Sequence, residues 1–130
     1  MILLFGAFLG FISVAFGAYS EHGLKPVISD EHYRFLLTAI RYNQVNSVVI
    51  SAIGLSLFTG SETLKSKLLN WSGILFIIGT LLFSFSIYLS VTFDIPALVY
   101  VTPVGGITMM VAWLTLIGFA CLRLKTQRAR

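Results

Sequence analysis

The sequence predicts an all-α integral membrane protein, a bundle of four transmembrane helices with both termini in the cytoplasm. Three observations predict this fold: an apolar composition, four apolar segments of spanning length, and an uneven distribution of lysine and arginine. Of the 130 residues, 57% are hydrophobic and only 11% are charged, and the mean hydropathy is +0.91. Soluble domains average about 25% charged residues. The composition therefore excludes an ordinary soluble domain and gives no indication of nucleic-acid binding.

The lengths of the apolar segments predict the helices. An α-helix needs about 20 apolar residues to cross about 30 Å of hydrocarbon. The segments place helices at approximately 2–19, 30–58, 68–93 and 97–122, within a single membrane domain that covers 1–130. Because the apolar runs are continuous and do not alternate with polar residues, they favour helices over a β-barrel.

The basic residues predict the orientation of the chain in the membrane. In a four-span arrangement, six of them fall on the side that holds both termini: Lys65, Lys67, Arg123, Lys125, Arg128 and Arg130. The opposite side holds Lys25 and Arg34, with Arg41 just inside the second helix. Since short cytoplasmic loops carry an excess of Lys and Arg, both termini are expected in the cytoplasm. The basic tail also offers a contact for anionic lipid, at about 1 kcal/mol per residue near the surface.

Small residues recur on one stripe of each predicted helix. In lipid, helices associate through close backbone approach and interhelical hydrogen bonds, which such stripes permit. The glycines expected at helix contacts are Gly6, Gly10, Gly17, Gly54, Gly105 and Gly106. The stripes predict a bundle, and they leave open whether the chain also associates with a second copy or with a partner membrane protein.

In the second helix, the polar stretch "RYNQVNS", residues 41–47, precedes the apolar run. The fourteen residues from Val45 to Phe58 give only about 21 Å of helix, so the polar stretch lies inside the membrane or at its edge. Arg41 can extend its guanidinium to the headgroups, but Asn46 lies about 12 Å deep and needs a partner. Two interpretations remain: Asn43 and Asn46 bond to Ser or Thr on other helices, or they belong to a binding or permeation site.

A break is expected where the fourth helix begins, at Thr102 and Pro103. Either Thr102 caps a helix that starts at Pro103, or the helix starts near Ala97 and Pro103 kinks it. In both cases free backbone groups lie at the depth of Arg41. The candidate binding residues of a polar pocket in the outer half are therefore Arg41, Tyr42, Asn43, Asn46, His22 and Thr102.

The connector between the first two helices contains His, Asp and Glu residues in no zinc-like spacing. Ser29 or Asp30 is expected to cap the second helix. A single cysteine, Cys121, excludes an intrachain disulfide. No metal, cofactor or catalytic residue is predicted, and His22 beside Glu21 is the one acid–base candidate.

Four motifs in order resemble a known family. They are "GAYSEHGL", "TAIRYNQVN", "GTLLFSFSIY" and "TPVGG" followed by "AW", and they resemble the YgdD/YwdK-like family of small bacterial membrane proteins (domain-of-unknown-function family 423). The resemblance implies a four-helix inner-membrane protein without established catalytic activity, some of whose relatives support membrane integrity. Family members usually carry His where Asn46 stands. Asn does not titrate near neutral pH and is a poor ligand for transition metals, so the change argues against a proton relay or metal site at this position.

Two functions follow as hypotheses. The first is a non-enzymatic protein with a structural, membrane-stabilising or accessory role that binds lipid or a partner protein. The second is a small transporter or channel that uses the outer-half polar pocket lined by residues 41–46.

Overall fold

A computed structural model of the chain describes residues 1–59 and 64–129. The α-helices are α1 (Ile2–Tyr19), α2 (Asp30–Thr59), α3 (Leu64–Thr80), α4 (Ser86–Phe93) and α5 (Thr102–Arg128). One π-helical turn, Ser20–Leu24, extends α1, and a second, Leu81–Phe85, joins α3 to α4 without interruption. The described residues thus form four long helices, which confirms the all-α class.

Three of these helices are long and apolar enough to cross a membrane: Ile2–Leu24, Lys67–Phe93 and Pro96–Arg128. The helix α2 is also long, at 30 residues, but it begins with two acidic residues, Asp30 and Glu31, and carries the polar stretch at 41–47. The length and composition of these three helices are those of membrane-spanning segments and indicate a membrane protein.

The start of the last helix differs from both expected alternatives. Residues Pro96–Val101 form a 3₁₀-helix, and α5 begins at Thr102 with Pro103 in its first turn. Thr102 makes no capping hydrogen bond; its hydroxyl instead lies 2.9 Å from the hydroxyl of Ser86. The tighter 3₁₀ geometry continues the helical path up to Pro103, whose missing N–H costs nothing in a first turn.

α1 and α2 pack with their backbones in contact. A Cβ atom added to Gly6 would lie 2.7 Å from the backbone nitrogen of Ser51, and one added to Gly54 would lie 2.5 Å from that of Leu3. The other two glycines of the stripe are less constrained, because added Cβ atoms there would meet their nearest neighbours at 3.4 Å (Gly10) and 3.8 Å (Gly17). The closest approach is therefore at one end of this helix pair.

α5 packs against the helix formed by α3, the π turn and α4. A Cβ atom on Gly105 would lie 2.8 Å from the carbonyl carbon of Leu82, within the π turn, whereas one on Gly106 would have 3.9 Å to the ring of Phe83. A third glycine, Gly79, faces Met109 at similarly short range. Gly105 therefore fixes how closely α5 approaches the π turn.

Two apolar clusters form the core, one toward each end of the bundle. The first contains Ile2, Leu9, Ile50, Ile53, Leu69, Phe76, Ile77 and Ala112. The second contains Leu24, Leu36, Ala39, Ile40, Ile87 and Tyr88. On α2, residues 43 and 46 fall between the members of the two clusters.

The basic tail continues helix α5 beyond the end expected at 122. Arg123, Lys125 and Arg128 are exposed on its last turns, and the guanidinium of Arg123 lies 5.8 Å from the centre of the Phe119 ring. Arg130 lies outside the described residues.

Candidate functional site

Asn46 connects three helices inside the bundle. Its side chain is only 2% exposed, and its amide nitrogen donates to the hydroxyl of Thr80 at 2.9 Å and to the sulfur of Met109 at 2.8 Å. Thr80 donates in turn to the carbonyl oxygen of Phe76 at 2.7 Å. The expectation that this deep amide bonds to a Ser or Thr on another helix is confirmed.

Asn43 lies one turn nearer the start of α2 and is fully buried. Its amide nitrogen donates to the hydroxyl of Tyr88 on α4 at 3.3 Å, a phenol where the sequence suggested Ser or Thr. The Tyr88 ring stacks on Phe16 of α1, with the ring centres 4.0 Å apart and an angle of 18° between the planes. Asn43 therefore helps to join α1, α2 and α4.

Two serines add hydrogen bonds between helices. Ser84, in the π turn, donates to the carbonyl oxygen of Ala39 at 2.8 Å, and Ser72 donates to that of Ala112 at 3.0 Å. Among the described residues there is no group of three His, Cys, Asp or Glu that could hold a metal ion. The interior is thus a set of neutral hydrogen bonds with few groups that could transfer a proton.

The six candidate binding residues do not share one cavity. Asn43 and Asn46 point into the bundle, while Arg41 is exposed and Tyr42 is 45% exposed. The ring of Tyr42 packs on that of Phe83, with the ring centres 4.8 Å apart. The cause is the helical period, because residues adjacent in sequence project about 100° apart around a helix. His22 is exposed in the π turn that extends α1, whereas Thr102 is the first residue of α5.

A cavity of about 400 Å³ does lie in the same half of the bundle, and of the six candidates it includes Thr102. It is lined by His32, Phe35, Thr38, Phe83, Ile87, Ser90, Val91, Asp94, Pro96, Val99 and Thr102. We call it the outer groove: α2 forms one wall, α4 and the π turn form the floor, and the 3₁₀-helix with the start of α5 forms the other wall. Its volume lies within the range of about 300–1,000 Å³ typical of ligand pockets.

The walls of the outer groove are mostly apolar, and its charged or titratable residues lie at one end. His32 stands in the first turn of α2, where Ser29 caps the helix by accepting a hydrogen bond from the His32 N–H at 3.2 Å. Asp94 follows the last residue of α4 at the same end of the bundle. Phe35, Ile87 and Val91 lie deeper. The groove is therefore amphipathic along its length.

Asp94 has an unusual backbone conformation. Its φ of 52° and ψ of 49° are left-handed, and it is the one non-glycine residue with positive φ in the described part of the chain. Asp and Asn are the residues, after glycine, that adopt this conformation most readily. The N–H groups of Asp94 and Ile95 both donate to the carbonyl oxygen of Ser90. This turn ends α4 and brings the carboxylate to the end of the groove.

A separate polar cluster holds the connector between α1 and α2. The Glu21 carboxylate accepts hydrogen bonds from Lys25 and Tyr33, all partly or fully exposed. The hydrogen bond to Glu21 raises the pKa of Lys25 above its ordinary value. The cluster fixes the connector and contributes nothing to the lining of the groove.

Sequence reasoning found Thr102 and missed the other groove residues. His32, Phe35 and Thr38 are spaced three residues apart, so they occupy one face of α2. Ile87 and Val91 form a similar stripe on α4, and Asp94 directly follows that helix. These two stripes are the sequence pattern that could have indicated the groove residues. The sequence alone does not show that the stripes face each other.

The sequence was compared with known proteins. The family model described as "Protein of unknown function (DUF423)" matches residues 16–106. The inner membrane protein YgdD of Escherichia coli K12, a UPF0382 protein, is 32% identical over 125 residues, which cover 95% of this chain and 91% of the relative. A UPF0382 membrane protein of Staphylococcus aureus is 30% identical over 117 residues, covering 90% and 92%. No solved structure matches.

Proposed function

Because the chain belongs to the DUF423 family and is an inner-membrane protein like its relative YgdD, we propose that it is a non-enzymatic, membrane-stabilising protein. Its proposed role is to hold one phospholipid of the outer leaflet in the outer groove. The resemblance recognised from the sequence motifs is confirmed by the family match; the specific role is our proposal.

The proposal includes four spanning helices with both termini in the cytoplasm. α2 has 30 residues, about 45 Å at 1.5 Å per residue, which is enough to cross a bilayer. It packs against α1 along its length, and its polar residues at 43 and 46 are buried between helices. With the basic tail in the cytoplasm, where it contacts anionic lipid, the groove end that holds His32 and Asp94 faces the outer leaflet.

The observation that carries the proposal is the shape of the outer groove. Its floor runs from Phe83 to Asp94, about 16 Å at 1.5 Å per residue. This is about half of a hydrocarbon core of about 30 Å, so the groove is about one leaflet deep. A mostly apolar channel of this depth, with its charged or titratable residues at the outer end, matches an acyl chain beneath a headgroup.

The interior gives less support to the alternative of a transporter or channel. Asn46 bonds to Thr80 on α3, Ser84 bonds to the backbone of α2 and Ser72 to the backbone of α5. A permeation path instead requires polar groups that face a hydrated space. These residues therefore have a structural explanation as interhelical hydrogen bonds, whereas the amide oxygen of Asn43 is buried without a hydrogen-bond partner among the described residues.

Lipid retention by the purified full chain tests the proposal. In native mass spectrometry from mild detergent, we expect about one phospholipid per groove to remain with the wild type. Thr38→Trp places an indole in the groove at an exposed position whose hydroxyl bonds only to its own helix. It should reduce the retained lipid several-fold.

The matched control is Ser56→Trp, which adds the same ring to an exposed position of α2 outside the groove, where the hydroxyl also bonds to its own helix. It should retain lipid like the wild type. A wild type that retains no lipid, or equal retention in both variants, would overturn the proposal. Ion or solute flux through proteoliposomes that exceeds empty liposomes would support the channel instead.

A further inference from the structure

We propose that the outer groove selects phospholipids whose headgroup carries a primary ammonium, as phosphatidylethanolamine does, with the ammonium on Asp94 and the phosphodiester beside His32. This inference rests on the proposed lipid-holding function and adds to it the class of lipid. It follows from the electrostatics of the groove end and from the order of polar and apolar residues along it.

Asp94 places a carboxylate where a cation is favoured. The C-terminal end of a helix carries a partial negative charge, and cations rather than carboxylates are stabilising there. Asp94 nevertheless places its carboxylate at the end of α4. Within residues 1–59 and 64–129, this carboxylate has no ion pair and no hydrogen bond from a side chain. The helix end and the carboxylate thus concentrate negative charge at the mouth of the groove.

A primary ammonium fits this position better than other lipid headgroups. An ammonium of the –NH₃⁺ type has three N–H donors, and its hydrogen bonds to a carboxylate are charge-assisted. A quaternary ammonium has no N–H and offers Coulomb attraction alone. A headgroup without a cation, as in phosphatidylglycerol, gains nothing from Asp94 and brings its own negative charge close to it.

His32 is placed to meet the phosphodiester of the same lipid. It lines the same end of the groove as Asp94, and either ring nitrogen, when it carries a hydrogen, can donate to a phosphate oxygen. Below these two residues the walls become apolar, at Phe35 on α2 and at Val91 and Ile87 on α4. The sequence of ammonium, phosphate and acyl chain in the lipid therefore matches the order of residues in the groove.

The test is competition between headgroups for the purified full chain. Equimolar phosphatidylethanolamine, phosphatidylcholine and phosphatidylglycerol with identical acyl chains are added in mild detergent, and the retained lipids are counted by native mass spectrometry. We expect about a threefold to fivefold preference for phosphatidylethanolamine, as for one partly exposed ion pair. In Asp94→Asn the preference should fall to about one.

Asn is the appropriate replacement because it also tolerates the left-handed backbone at this position. The control is Asp30→Asn, the same chemical change at an exposed carboxylate at the start of α2 that does not line the groove. It should keep the wild-type preference. His32→Phe should lower retention of all three lipids by a similar factor.

The outcomes separate the two proposals. Lipid that is retained without headgroup preference, or a preference that survives in Asp94→Asn, would overturn this inference and leave the lipid-holding function standing. A wild type that retains none of the three lipids would overturn the lipid-holding function and this inference with it.

Discussion

The two faces of α2 differ in the surroundings of their polar residues. The inner face carries Asn43 and Asn46, which are fully or almost fully buried and bonded to Tyr88 and Thr80 on other helices. The face that bounds the outer groove carries His32, Phe35 and Thr38, which are exposed. Of these three residues, the middle one, Phe35, is apolar. In a membrane protein, the depth of a polar residue therefore does not by itself mark a binding site. Unoccupied space between helices is a stronger indication of a binding site than the depth of a polar residue.

The largest loss of stability and of lipid retention is expected at the contact between Gly105 and the π turn, which lies beside both the bundle interior and the outer groove. Gly105→Ala would place a Cβ atom 2.8 Å from the carbonyl carbon of Leu82, so α5 must move away from the π turn that contributes to the groove floor. Overpacking of this kind costs about 1–3 kcal/mol. We expect a clear loss of stability in a denaturation assay in detergent, together with reduced lipid retention.

The neighbouring glycine supplies the control for this change. Gly106→Ala adds the same methyl group where 3.9 Å is available, and it should leave both stability and retention near wild type. Equal behaviour of the two variants would contradict the close contact at Gly105.

The next largest effect is expected in the bundle interior, where a substitution should change stability without changing lipid retention in the groove. Asn46→Leu removes the hydrogen bonds to Thr80 and Met109, and interhelical bonds in membranes contribute about 0.6 to 2 kcal/mol. Unfolding should become easier by about that amount, while lipid retention stays unchanged. Gln44→Leu, two positions earlier and exposed, is the control. Loss of retention in Asn46→Leu with stability intact would mean that the interior takes part in binding.

A smaller effect is expected where the interior meets the groove. The hydroxyls of Ser86 and Thr102 lie 2.9 Å apart and join α4 to α5. A double-mutant cycle of Ser86→Ala and Thr102→Val should give a coupling of about 0.6 kcal/mol, the average for such bonds in a membrane protein. Additive effects of the two substitutions would show that the pair contributes nothing to the position of α5.

The smallest effect is expected outside both regions, at the connector. Glu21→Gln removes the charge that raises the pKa of Lys25, so this pKa should fall toward its ordinary value, measurable by NMR. The folded-state pKa is the higher one, so the pair's contribution is complete below the ordinary lysine pKa and is lost as pH rises through the raised value. Because the pair is exposed, the melting temperature at neutral pH should not change. A large decrease would assign the connector a greater structural role.

The sequence predicts the parts of this fold that depend on local patterns. The apolar segments predict the helices, Ser29 caps α2 as one of two expected residues, and the small-residue stripes include the close contacts at Gly6, Gly54 and Gly105. The π turn at Leu81–Phe85 was not predictable. Gly105 of α5 packs against this turn, and Ser84 within it bonds to the backbone of α2. These contacts join residues far apart in the sequence, so no local pattern predicts them.

The candidate site was predictable only in part, for the same reason. Length and depth arguments identified Asn46 as a residue in need of a partner, but they could not distinguish a partner on another helix from a ligand. The outer groove lies where the 3₁₀-helix at Pro96–Val101 and the start of α5 flank α4. The space between these elements results from tertiary packing, and no local pattern in the sequence predicts it.

Photo-crosslinking in nanodiscs tests the central claim, that lipid occupies the outer groove and not the bundle interior. A phospholipid with a diazirine on its acyl chain is incorporated, and the labelled residues are mapped by mass spectrometry. We predict the highest yield at Phe35, Ile87 and Val91, above that at Leu114, which is exposed on α5 outside the groove, and loss of this excess in Thr38→Trp. Equal labelling of groove residues and Leu114, or labelling concentrated around Asn46, would contradict the account.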